Sequence, residues 1–412
     1  MKTPDPVPLY PTYEELQGMR LADYPQTQAF LDCGPAWRLQ HWQWGLDFLN
    51  YIGRNKSEHT FTRFRGEVEK FLLWLFLFHD KPADDLRKAD ILAFADFCWK
   101  PPLSWIGLTS ADRFVPVSGV YEANPHWRPF RIKAPKKQQL EEADKKRYRP
   151  SQQTILGLFT AIIAFYKHLM NEELCYGNPA QLAKNDCRYL IKDAQVKEVR
   201  RLTDEQWRYV LKTTEEMADT DPVYERTLFV VATLKTLFLR VSELSERSDW
   251  SPEMGHFWQD YDENWWLKVY GKGRKIRDVS VPTEYFAYLS RYRRARGLPA
   301  YPFPGDNAPL VEKIRGQGGM TARQLTRIVQ QAFDLSYEKM KKHSGEERAR
   351  KLHEASSHWL RHTGASMEVQ RGRALKDLSE DLGHASMATT DTIYVQSENR
   401  FRAASGKKRT VE

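Results

Sequence analysis

Four short patterns in the second half of the chain hold residue types that can handle a phosphate. They are Leu239-Arg240-Val241-Ser242-Glu243-Leu244, Gly271-Lys272-Gly273, His358-Trp359-Leu360-Arg361-His362, and Leu382-Gly383-His384 followed ten positions later by Tyr394. Guanidinium and ammonium groups meet anionic oxygens, and a phenol or imidazole can attack or carry a proton. Each pattern alone has a plainer explanation. Arg240 with Glu243 three residues on is the ordinary surface ion pair of a helix. Lys272 between glycines is an ordinary solvated turn, without the spacing of a phosphate-cradling loop. His358 and His362 are four apart, as in a zinc pair, but Trp359 stands where a metalloprotease helix needs Glu. Tyr394 is one of 19 tyrosines, placed near the end of a helical segment where packing is the default role. The chemistry rests on the ordered set.

That order resembles the tyrosine recombinase (phage integrase) family over roughly residues 200–400. A weaker resemblance covers Ser151 to Pro179, where a helix with Phe165-Tyr166 leads to Gly177-Asn178-Pro179, as in the family's DNA-gripping core-binding domain. The resemblance implies catalytic arginines at Arg240 and Arg361, a hairpin lysine at Lys272, histidines at His358 and His384, and a nucleophile at Tyr394. It implies a site-specific recombinase or integrase that cleaves and rejoins DNA strands through a 3′-phosphotyrosyl intermediate, for integration, excision or transposition of a mobile element. No metal, ATP or other cofactor is implied. The implied partners are a double-stranded DNA recombination site and further copies of the chain, as a tetramer on two sites with the residues after Tyr394 docked on a neighbour. An accessory DNA-bending protein or partner recombinase completes the set.

Two rivals stay open at this stage: a DNA-binding or architectural protein that keeps the fold without catalysis, and a type IB topoisomerase-like enzyme or hairpin-forming resolvase. The family commonly has Gly two positions before the first arginine, where this chain has Phe238, and Asp after the first histidine, where it has Trp359. A charged stretch around Lys339 to Lys351 and a long segment at 101–150 are further departures.

Transfer of a phosphodiester passes through five-coordinate phosphorus with added negative charge, which fixed donors must meet. Arginine keeps its charge when desolvated and donates in a planar fork, so Arg240 and Arg361 suit that task. A tyrosine hydroxyl has an ordinary pKa near ~10 and needs help to attack. In the family scheme His358 accepts its proton, Lys272 protonates the leaving 5′ oxygen and His384 bonds the phosphate. Glu243, one turn after Arg240, is assigned to orient a neighbouring basic side chain. Phosphate contacts outside the site are expected at Lys136, Lys137, Arg147 and Arg149, clustered before the Ser151 helix, and at Lys275 and Arg277 of the hairpin.

The chain of 412 residues carries a formal charge of +9 and a pI of about 9.1, which favours a polyanionic partner. Cys33, Cys98, Cys175 and Cys187 have neither CxxC pairing nor compact spacing, which argues against a zinc cage or disulfide framework. No apolar run approaching the ~20 residues of a membrane span is expected, the longest candidate being Phe71 to Phe78. Met1-Lys2-Thr3-Pro4-Asp5-Pro6 has no apolar stretch followed by small residues, so a cytoplasmic, DNA-associated prokaryotic protein is expected.

Those side chains need a scaffold, and apolar spacing supplies mostly helices. The expected fold is mainly α with a small antiparallel sheet, as a two-domain DNA clamp. Residues 1–30 are expected as an extension, 31–195 as a helical core-binding domain with an inserted basic loop at 101–150, and 196–412 as an α+β catalytic domain with a short basic tail. Helices are expected around Trp42 to Leu49, Phe64 to Leu75, Ile91 to Phe97 and Ser151 to Glu172, and a helix capped by Thr203 opens the second domain. Trp265–Tyr270 and Ile276–Val281 are expected to pair as a hairpin around Lys272.

Overall fold

The apolar spacing of the first half produces three helices in succession, α1 (Ala36–Asn55), α2 (Glu58–Trp74) and α3 (Lys88–Trp99), followed by α4 (Gln152–Asn171) and α5 (Pro179–Asp186). A computed structural model describes residues 3–132, 140–191, 200–271, 275–384, 386–395 and 406–407. The chain divides into two units, Met1–Lys192 and Asp193–Glu412.

In the first unit Phe48, Val68, Phe71, Leu72, Phe94, Phe159 and Phe165 are buried together as one core. Helix α4 is the one helix among the described residues long and apolar enough to cross a membrane by composition, and 50% of its apolar window is buried in the protein. The expectation that no run approaches that length is corrected, since scattered polar residues hid this one from inspection. Buried against its neighbours, it is a core helix.

Two stretches outside the helical pattern of the sequence pack side chains into this core. Within the first thirty residues, Leu9 and Tyr10 are fully buried. The Tyr10 hydroxyl donates to the Trp42 carbonyl at 2.8 Å, and the Leu9 amide donates to Glu69 at 2.9 Å. Residues 3–12, with prolines at 4, 6, 8 and 11, form no helix or strand, so the burial of Leu9 and Tyr10 leaves no helical period to read. The described residues of the 101–150 segment, 101–132 and 140–150, carry strands rather than the expected loop alone. Strand β1 (Ile106–Gly107) pairs in parallel with β4 (Phe130–Arg131), and β2 (Phe114–Val117) forms a hairpin with β3 (Val120–Ala123). Trp105, Trp127 and Phe130 drive its attachment, all buried in the same core. Strands of two to four residues are too short to show an alternation.

The second unit opens with α6 (Asp204–Thr220), capped as expected: the Thr203 hydroxyl accepts from the Gln206 amide and the Gln206 side chain accepts from the Thr203 amide. Helix α7 (Glu225–Thr236) is buried on nearly every face. Strands β5 (Phe257–Gln259), β6 (Trp265–Tyr270) and β7 (Ile276–Ser280) form a three-stranded antiparallel sheet in that order. The expected hairpin is thus present, with Tyr270 opposite Ile276. Helix α8 (Phe286–Ala295) follows. The charged stretch around Lys339 to Lys351 forms the end of α9 (Ala322–Ser344) and most of α10 (Glu346–Glu354). Helices α11 (Ser357–Gln370) and α12 (Leu375–Leu382) carry the last two sequence patterns.

Candidate active site

Arg240 sits at the start of a single helical turn, Val241–Leu244, just after α7 ends. The chain reaches it through Phe238, whose φ of +52° lies in the left-handed region. That conformation costs a non-glycine residue roughly 1–2 kcal/mol. Two features offset it: the Phe238 carbonyl accepts from Arg361, and the ring is buried with Ala365, Leu378, Leu382 and Tyr394. The family's usual glycine at this position has its explanation in that backbone angle.

Helix α11 brings Arg361 to the same place because Gly364 lets it approach closely. A Cβ on Gly364 would stand 1.9 Å from the Lys235 carbonyl oxygen. Arg361 is almost fully buried and also donates to the Leu382 carbonyl at 2.6 Å. Burial, together with the nearby positive charge of Arg240, pulls its pKa down to about 10.

Glu243 is the hub of the Arg240 side. Only 2% exposed, it accepts from the Arg240 amide at 2.8 Å and the Arg240 guanidinium at 2.9 Å. It also accepts both ends of the Arg277 fork, at 2.9 and 3.1 Å. Burial opposes ionisation of Glu243, but the Arg277 hydrogen bonds and the two positive charges outweigh it, so its pKa lies below the usual carboxylate value. The third Arg277 donor, Nε, bonds the Asp381 carbonyl at 2.9 Å.

Arg277, expected as a DNA contact, is turned inward: both ends of its fork meet Glu243 and Nε meets the Asp381 carbonyl. Asp381 in turn accepts from the Ser280 amide at 3.0 Å, the Ser280 hydroxyl at 2.6 Å and the Arg373 guanidinium. Strand β7 and helix α12 are therefore tied together next to Arg240. No motif marked Asp381, Arg373 or Ser280, and only the proximity of Asp381 to Leu382-Gly383-His384 hinted at it.

Helix α12 ends at Gly383, with a φ of +63°, where a Cβ would stand 2.9 Å from Arg277 Cδ. The turn delivers His384, whose Nε2 faces Arg361 Nη2 at 3.4 Å and whose Nδ1 faces the Thr390 hydroxyl at 2.8 Å. Because a guanidinium only donates, Nε2 is the acceptor and Nδ1 carries the proton. Burial and the surrounding arginines Arg361, Arg240 and Arg277 pull the His384 pKa to about 4.

Tyr394 lies in the turn Asp391–Val395 and is 1% exposed. Burial lifts its pKa to about 12, against the pull of Arg361 and Arg240. Its hydroxyl lies 2.9 Å from His362 Nδ1. His358 packs at a steep angle against His362, with centroids 4.4 Å apart. The His358 pKa is lowered by burial and by Arg361 and Arg240. That of His362 falls to about 3 through burial and the charges of His358, Arg361 and His384. By sequence alone His362 reads only as half of a zinc-like pair with His358. The signal for its place was its position directly after Arg361, on the helix face of His358.

Arg240, Glu243, His358, Arg361, His384 and Tyr394 thus share one site in the second unit. Lys272 lies outside the described residues, as do Lys136 and Lys137. Lys275 is exposed at the hairpin. In the first unit, Arg147 pairs with Asp144 at 3.2 Å and Arg149 bonds the Tyr148 carbonyl at 2.6 Å, both from exposed positions.

The sequence matches the Phage integrase family over residues 200–400. It is 29% identical over 247 residues to the tyrosine recombinase XerC of Thermodesulfovibrio yellowstonii, spanning 59% of this chain and 71% of the relative. Identity to XerC of Pseudomonas entomophila is 28% over 278 residues, spanning 65% and 78%. Among solved structures, the fold resembles the XerH site-specific recombinase bound to palindromic difH substrate, with a TM-score of 0.55, 14% identity and coverage of 96% of this chain and 92% of that one. It also resembles the Tn1549 transposon integrase in complex with a circular intermediate DNA, with a TM-score of 0.50, 16% identity and coverage of 89% and 98%. Residues 200–400, nearly all of the second unit, are a domain of the phage integrase family of tyrosine recombinases, enzymes that cut and transfer DNA strands.

Proposed function

We propose that this protein is a site-specific recombinase in which Tyr394 attacks a DNA phosphate and holds the strand as a 3′-phosphotyrosyl link. The observation that carries this reading is the meeting of Arg361, His384 and Tyr394 around one point, with Arg240 braced beside them by Glu243. Two arginines at one phosphate offset the charge that builds on its oxygens. His384, kept neutral with Nδ1–H turned to Thr390, presents Nε2 to that side; protonated or in its other tautomer it donates there instead. Lys272, outside the described residues, is assigned the proton for the leaving 5′ oxygen.

The phosphotyrosyl bond keeps the energy of the broken phosphodiester, so rejoining to another strand needs no nucleotide. The substrate is a double-stranded recombination site, worked on in the cytoplasm by a tetramer for integration, excision or transposition of a mobile element. The segment after Tyr394 reaches a neighbouring copy, and an accessory DNA-bending protein or second recombinase assists. Arg147, Arg149 and Lys275, together with Lys136 and Lys137, hold phosphates outside the site. The two units, divided near residue 195, act as grip and catalyst.

The test uses a pool of nicked duplexes of randomised sequence, from which members that become covalently attached are recovered. Wild-type protein is expected to form adducts resistant to detergent, and Tyr394→Phe none. Adduct formation by the Phe variant removes Tyr394 as nucleophile, and no adduct with wild type removes the strand-transfer reading.

A further inference from the structure

We propose that His362, rather than His358, takes the proton from Tyr394 when the tyrosine attacks. The inference deepens the reading of Tyr394 as nucleophile and rests on it. His362 Nδ1 lies at hydrogen-bond distance from the Tyr394 hydroxyl, 2.9 Å. His358 meets the face or edge of His362 instead, at 4.4 Å between ring centroids and an interplanar angle of 80°. Among the described residues the imidazole at hydrogen-bond distance from the Tyr394 hydroxyl is that of His362, and no such bond joins it to His358. Tyr394 is 1% exposed, so bulk water does not compete for the hydroxyl proton.

The surroundings of His362 set its protonation. The titratable and charged groups facing it are His358 and Arg361 on its own helix, His384 after α12, and Tyr394. The cationic members and burial keep the imidazole neutral in the free protein, with an unprotonated nitrogen available as an acceptor. With Nδ1 bare, Nε2 carries the ring hydrogen. A DNA phosphate arriving between the arginines brings negative charge to this cationic cluster and makes a protonated His362 easier to form.

In the forward step the O–H bond of Tyr394 breaks and its proton passes to His362 Nδ1, giving an imidazolium. The phenolate oxygen forms a bond to phosphorus, and the bond from phosphorus to the 5′ oxygen breaks with its electron pair on that oxygen, which takes a proton from an acid of the site or from water. In rejoining, the incoming 5′ hydroxyl gives its proton to the same acid or to water as its oxygen bonds phosphorus, the bond from phosphorus to the tyrosine oxygen breaks with its electron pair on that oxygen, and His362 returns its proton to the phenolate. His358, packed edge-on, is then a positioning residue that fixes the plane of the His362 ring.

The duplex recovered from the randomised pool serves as the probe. Single-turnover adduct formation is followed between about pH 5 and pH 9 for wild type, His362→Gln and His358→Gln, with a mobility shift on the same duplex reporting folding and binding. A proton acceptor of this kind contributes roughly 10²–10⁴-fold in rate. His362→Gln is expected to bind the duplex as wild type does, lose at least about 100-fold in adduct rate, and lose the rise of rate with pH on the acid side. His358→Gln is expected to keep that rise. A His362→Gln profile that still rises, or a rise lost only in His358→Gln, overturns the proposal. His362→Asn replaces Gln if the Gln variant fails to bind, and is read by the same profile. Failure of the Tyr394 reading shows separately, as wild type without adducts or Tyr394→Phe with them.

Discussion

Arg240 and Tyr394 stand on two sides of one site, and the two sides are built from opposite materials. Around Arg240, one buried carboxylate accepts four hydrogen bonds from Arg240 and Arg277. Asp381 extends that lattice to Ser280 and Arg373. Around Tyr394 the materials are rings: His362 meets the hydroxyl, and His384 is held by Thr390 on one nitrogen and lies at 3.4 Å from Arg361 on the other. Hydrogen bonds to charged groups contribute about 1.5–3 kcal/mol and neutral ones about 0.5–1.5 kcal/mol. Donors that stabilise a transition state must not move, whereas a nucleophile must leave its resting partner to reach phosphorus. Charge saturation suits the first, and fewer bonds, mostly neutral, suit the second.

The largest expected effect breaks the charged side. Glu243→Ala leaves two guanidiniums facing each other without a counter-charge, and removing one partner of a buried ion pair costs about 3–5 kcal/mol. Urea unfolding of the free protein should show that loss, with Glu243→Gln falling between Ala and wild type. A loss below about 1 kcal/mol would mean that the carboxylate is not what fixes Arg240.

A smaller effect comes from titrating the ring side. His362 and His384 have folded pKa values of about 3 and about 4, below the unfolded value near ~6.5. Between those limits the unfolded chain binds more protons than the folded one, so stability rises with pH and is lost as pH falls from about 6.5 toward 4. At 1.36 kcal/mol per unit, going from about 6.5 to about 5 removes up to about 2 kcal/mol through His362, and less through the more open His384. Glu243 is protected over the same range, because its pKa is depressed. His362→Gln should make the stability profile less steep above about pH 4, with His384 and His41, also pulled down to about 4, carrying the remaining rise, while Glu243→Gln lowers the profile without changing that slope. A profile as steep in His362→Gln as in wild type would place the acid sensitivity elsewhere.

Much of this was legible before the structure. The helices carrying Trp42, Phe71 and Phe94 followed from their apolar period, and the β6–β7 hairpin from two apolar strands around a glycine turn. The ordered Arg, His and Tyr motifs marked six positions, five of which the described residues bring to one site. What stayed hidden had no period or motif. Leu9 and Tyr10 are buried from a segment without helix or strand, and β1 to β4 are too short to alternate. Arg277 looked like a surface cation because sequence shows charge but not the buried carboxylate that consumes it. His362 was overlooked because a four-residue histidine spacing first suggests a metal, and only the fold shows which imidazole points at the tyrosine. Phe238 ran the other way: a departure from the family's glycine became intelligible once its φ and its carbonyl bond to Arg361 were known.

The smallest expected effect sharpens the comparison from the ring side. Thr390→Val keeps the shape of a fully buried side chain but removes the partner of His384 Nδ1. The loss should be about 1 kcal/mol, the ordinary net value of one hydrogen bond, because His384 itself stays partly open to water. Nitrogen chemical shifts of the imidazole should report the second consequence, a weaker preference for the Nδ1–H form that leaves Nε2 bare toward Arg361. Unfolding that costs as much as Glu243→Ala would erase the contrast between the two sides, since one neutral bond would then brace the site as strongly as a saturated carboxylate. A loss near 1 kcal/mol with a shifted tautomer balance instead assigns Thr390 to the aim of His384 rather than to the strength of the fold.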